Sequence, residues 1–78
     1  MSERYFVTAV SIPNSVMFDV GDPNGYETRT LPVMLATELS KQNGVVVIIE
    51  HRTPKRSSPF GYDVVYAELF QGGRKTSA

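Results

Sequence analysis

One histidine, His51, and no cysteine set the limit on what chemistry this 78-residue chain can do. A histidine metal site would have to recruit carboxylates, and the adjacent Glu50 points to the opposite face of any strand carrying both. Without cysteine there is no thiolate ligand, disulfide or thiol nucleophile. A serine or threonine nucleophile would need His51 as its base, and none of these hydroxyls stands in a strand-to-helix nucleophile elbow. The stretch Asp19 to Glu27, DVGDPNGYE, is rich in oxygen ligands but lacks the glycine and glutamate offsets of an EF-hand loop. Gly72-Gly73 precedes no helix that could offer amides to a phosphate. No catalytic, cofactor-binding or metal residues are assigned, and the chain is not expected to be an enzyme.

Binding chemistry is better represented. In His51 to Tyr62, HRTPKRSSPFGY, the cations of Arg52, Lys55 and Arg56 could follow phosphates while Phe60 and Tyr62 stack on bases. The same cations would serve against an acidic protein surface, where charge raises the association rate and fixes register. Eight Lys plus Arg balance eight Asp plus Glu, so the chain has no overall excess of positive charge for a polyanion. The charges are unevenly spread: Asp19, Asp22 and Glu27 fall in the first half, and the basic stretch falls in the second.

These residues depend on a short list of elements. Arg4 to Ile12 and Val16 to Val20 read as two strands separated by Pro13-Asn14-Ser15. After the turn Gly21 to Gly25, the polar stretch Tyr26 to Thr30 reads as an edge strand. Thr30 is placed to cap a helix, Pro32 suits its first turn, and Gly44 suits its left-handed close, with the helix ending near Asn43. Leu31, Leu35, Ala36 and Leu39 share one arc of that helix, which leaves Val33 and Met34 projecting outward. Val45 to Arg52, VVVIIEHR, is apolar without alternation, as in a strand covered on both faces. Tyr62 to Phe70 forms the last strand. The fold class expected is α+β: a small antiparallel sheet of four to five strands in the order β-β-β-α-β-β, with one helix packed on one face. Residues 1–70 form a single domain, and the glycine-rich tail 71–78 is expected to be disordered.

A chain this short buries only about 60% of the surface it exposes when unfolded. With disulfides and thiolate metal sites excluded by the lack of cysteine, association is the ordinary remaining route to stability. One helix covers one sheet face, yet the strand from Val45 is apolar on two. Four Tyr, four Phe and three Met exceed what one helix and one sheet face can bury. A protein-binding module is therefore expected, homodimeric and acting by occupying a macromolecular partner's surface. Its partner-binding residues are Val33, Met34, Arg52, Lys55, Arg56, Phe60 and Tyr62. The alternative is a small binder of single-stranded nucleic acid or RNA through the basic loop 51–62. In size and plan the chain resembles phage-encoded inhibitors of host machinery, such as inhibitors of polymerases or CRISPR complexes; no motif carries the likeness. Its longest apolar runs fall well short of the roughly 18 residues of a membrane span, and MSERYF lacks the pattern of a signal peptide. The expected location is the cytoplasm.

Overall fold

The computed structural model describes residues 3–12, 14–54 and 61–76. Five strands, β1 (Arg4–Ser11), β2 (Val16–Val20), β3 (Val45–Pro54), β4 (Tyr62–Gln71) and β5 (Arg74–Lys75), form one antiparallel sheet in the order β2-β1-β3-β4-β5. The single helix α1 (Thr30–Leu39) lies across one face, chiefly on β3 and β1. The fold is thus of the α+β class.

Side-chain alternation in the strands decides which residues meet the helix. Val7 and Ala9 of β1, Val47 and Ile49 of β3 and Phe70 of β4 point to the helix and surround Ala36, whose methyl lets the helix approach closely. These six are the buried apolar core among the described residues. So small a core makes each member matter.

Two elements differ from the sequence expectation. The strand expected over Tyr26 to Thr30 reduces to one bridge, in which Tyr26 and Tyr5 exchange both backbone hydrogen bonds at 2.8 Å. β2 already occupies that edge of β1 from Val7 to Ser11, and four residues beyond Tyr26 the chain must enter the helix. The stretch after Phe70, expected to be a free tail, closes into a β4-β5 hairpin through Gly72 and Gly73, both at positive φ. Ser40 at the helix end holds this turn. Its carbonyl accepts from the Gly72 amide at 2.9 Å, and its hydroxyl accepts from the Gly73 amide at 3.1 Å.

The helix also sits differently from its expected arc. Arg29, not Thr30, is the N-cap, and its carbonyl accepts from the Val33 amide at 3.0 Å. Regular helix stops at Leu39, after which turns lead to Gly44 in its left-handed conformation. Pro32, Ala36 and Ser40, spaced four apart, form the buried line, flanked by Val33 and Leu39 against the core. Val33 therefore packs inward, contrary to the expectation that it projects outward, and Leu31 takes the exposed place beside Met34.

Truncating Ile49, which is fully buried, is expected to destabilise the fold by about 2–5 kcal/mol. Met34→Ala, on the outer helix surface, should stay within about 0.5 kcal/mol of the parent. Urea denaturation of the two variants checks the contrast.

Candidate functional site

The sheet face turned away from the helix is covered by no described element. Strand register arranges it in rows. Met17, Val10 and Val46 lie side by side across β2, β1 and β3, and the next row is Asp19, Thr8, Ile48 and Leu69. Then come Phe6, Glu50 and Ala67, followed by Arg4, Arg52 and Val64. The first two rows are mainly apolar and the later ones charged and aromatic. Met17 is 65% exposed and Leu69 36%, while Val10, Val46 and Ile48 are half-buried by their neighbours alone.

Arg52 dominates the charged half. Its guanidinium carbon lies 4.1 Å from the centre of the Phe6 ring and 4.3 Å from that of Tyr62, so the cation is sandwiched between two aromatic faces. Nε of Arg52 donates to Glu50 Oε1 at 2.9 Å. Behind Phe6 stands Gly25, a buried glycine at positive φ; a Cβ there would lie 2.7 Å from the Phe6 ring. Only glycine lets the turn pack so closely. Arg4 donates to the Gly25 carbonyl at 3.2 Å and faces Glu27 at 3.6 Å. Phe6, Arg4, Arg52 and Tyr62, with Pro23 and Pro54, line an open cleft of about 390 Å³.

Two further clusters lie on the helix side. Glu68, almost fully buried on β4, receives both Nε and Nη2 of Arg29 and lies 3.2 Å from Lys75 Nζ. This triad joins the helix start to β4 and β5. The hydrogen bonds from Arg29, reinforced by Lys75, hold the Glu68 carboxyl below its usual value of 4.5 despite burial. His51 stacks on Tyr5 at 4.5 Å and meets the edge of Tyr66 at 4.9 Å, and its Nε2 lies 2.7 Å from Glu3 Oε2. Its Nδ1 has no hydrogen-bond partner among the described residues. The Tyr5 hydrogen bond raises the pKa of Tyr66.

Of the residues singled out in the sequence, Arg52 and Tyr62 come together on the open face. Lys55, Arg56 and Phe60 lie outside the described residues. Met34 is 59% exposed but stands on the helix, in the other layer. Sequence reading missed Phe6 and Arg4 as companions of Arg52, and Met17 and Leu69 as the exposed apolar residues of the face. Alternation along β1 carried part of that information; the cross-strand register, which places Phe6 against Glu50 and Arg4 against Arg52, did not follow from it. Among the described residues there is no group of three or more His, Asp or Glu able to hold a metal ion, and no helix is long and apolar enough to cross a membrane.

Nothing among protein-family models, curated proteins or solved structures matches the chain.

Glu68 gives a pH signature. A carboxyl whose folded pKa is depressed contributes stability above its unfolded pKa and loses it as pH falls through the folded value. The parent should therefore lose stability as the pH falls below about 4.5. Glu68→Gln should be less stable by about 1–3 kcal/mol at neutral pH, reduced from the full cost of a broken buried pair because Arg29 and Lys75 are partly exposed. Its acid decline should also be shallower, as denaturation curves at a series of pH values will show.

Proposed function

We propose that the chain is a non-enzymatic protein-binding module that forms a homodimer and acts by occupying a partner's surface with the uncovered face of its sheet. The observation that carries this reading is the one-sided cover: a five-strand sheet with a helix on one face and exposed apolar rows on the other. Contiguous exposed apolar surface favours association. The face also divides usefully. Its apolar half, with Met17, Val10, Val46, Ile48 and Leu69, suits a second copy, because a two-fold axis through it would set apolar side chains against apolar ones; the one charge in these rows, Asp19, stands on the edge strand β2. The half around Arg52 then stays free for another macromolecule. Blocking a surface of host machinery, as small inhibitors of this size and plan do, requires no more than such a face.

Nucleic-acid binding through the basic loop is the weaker reading. Asp19 and Asp22 lie close to Arg52, the one cation of that loop among the described residues. A run of phosphates would meet those carboxylates.

Sedimentation velocity across the micromolar range tests the dimer. The wild type is expected to dimerise and Met17→Glu to remain monomeric with an unchanged circular dichroism spectrum. A wild type that is monomeric at every concentration would overturn this assembly.

A further inference from the structure

We infer that the cleft between Arg4, Phe6, Arg52 and Tyr62 is a recognition site for a protein segment that presents one carboxylate beside a flat apolar side chain. The inference rests on the protein-binding reading and names the chemistry of the partner. Three observations carry it. First, Arg4 and Arg52 are direct cross-strand partners, with side chains on the same face. Each is met by one carboxylate of the chain, Arg52 by Glu50 and Arg4 by Glu27, and a ligand carboxylate entering the cleft would make its charge-assisted hydrogen bonds chiefly to the part-exposed Arg4. The acid that Arg4 meets within the chain, Glu27, is 75% exposed and lies 3.6 Å away, a contact a ligand can replace at little cost.

Second, the cleft is preformed and of suitable size. Its volume of about 390 Å³ falls in the range of small-ligand sites. Arg52 is held in place by two rings and Glu50, so little side-chain freedom is lost on binding. Of the remaining walls, Phe6, Tyr62, Pro23 and Pro54 are flat and apolar, beside the polar Asn24 and Thr53, which suits an aromatic or proline side chain next to the acid.

Third, the described surroundings on one side of the cleft favour a single carboxylate over a polyanion. On the far side of Phe6 and Arg52 a smaller cleft is lined by Asp19 and Asp22. A nucleic-acid strand leaving the arginine pair in that direction would bring its next phosphates against these acids, whereas an isolated Glu or Asp would not reach them.

The test is a heteronuclear NMR titration of the intact protein with three probes: acetyl-Trp-Glu-Pro-amide, its Gln counterpart and a short oligothymidylate. The Glu peptide is expected to shift the signals of Arg4, Phe6, Arg52 and Tyr62 saturably and to bind at least about five-fold tighter than the Gln peptide, as a charge-assisted contact requires. Arg4→Gln, at a part-exposed position that should leave the fold intact, is expected to reduce the Glu peptide to the level of the Gln peptide. Equal binding of the two peptides, no saturable shift, or tighter binding of the oligonucleotide would each overturn the proposal. The arginine pair lies outside the apolar rows, so the titration is independent of the dimer. A negative titration with a positive sedimentation result removes the cleft alone.

Discussion

A sheet has two faces, and a single short helix can cover only one of them; the rest of this molecule follows from that constraint. Ten helical residues span about 15 Å, while five strands are roughly 20 Å across, so even the covered face is covered in part. The helix resolves this by lying chiefly on β1 and β3, where Ala36 allows close contact, and by reaching β4 through Phe70, the rest of that strand being held by other means. Those means are polar. Glu68 is buried by an arginine from the start of the helix and a lysine from β5, and Ser40 at the other end of the helix binds the β4-β5 turn.

The polar contacts explain why so small a core suffices. Arg29 and Ser40 tie opposite ends of α1 to the same hairpin, so that the helix, β4 and β5 are stabilised together. The Tyr5-His51-Tyr66 cluster fills the part of the covered face beyond the helix, with Glu3 joined to the imidazole. On the opposite face, among the described residues, Phe6, Glu50, Arg52 and Tyr62 form a comparable group at one end. The apolar rows next to them have no counterpart in the described chain. Helix cover and the arginine sandwich thus divide the surface into a finished part and an unfinished one.

Much of this was legible in the sequence. Local signals placed β2, found the helix, supplied Gly44 for the left-handed turn beyond it and marked the β3 strand as apolar on both sides, because glycines and β-branched runs act over a few neighbours; the cap expected at Thr30 falls to Arg29, and the helix ends at Leu39 and not near Asn43. What escaped depended on distant partners. The Gly72-Gly73 stretch looks like free tail until Ser40, more than thirty residues earlier, supplies the acceptors for its amides. Val33 looks outward on a helical wheel centred on its leucines, but the sheet takes the Pro32-Ala36-Ser40 line instead, since small residues permit the closest approach. Arg52 was picked out as a surface cation; its place between Phe6 and Tyr62 required the registers of three strands.

The most direct measurement of whether the uncovered sheet face is an interface compares two methionines that are about equally exposed in the single chain, Met17 on that face and Met34 on the helix. Peroxide converts exposed methionine to the sulfoxide, which mass spectrometry reads residue by residue. Oxidation of Met17 should slow as protein concentration rises through the micromolar range while that of Met34 stays constant. Equal rates for the two at every concentration would contradict an interface on the open face.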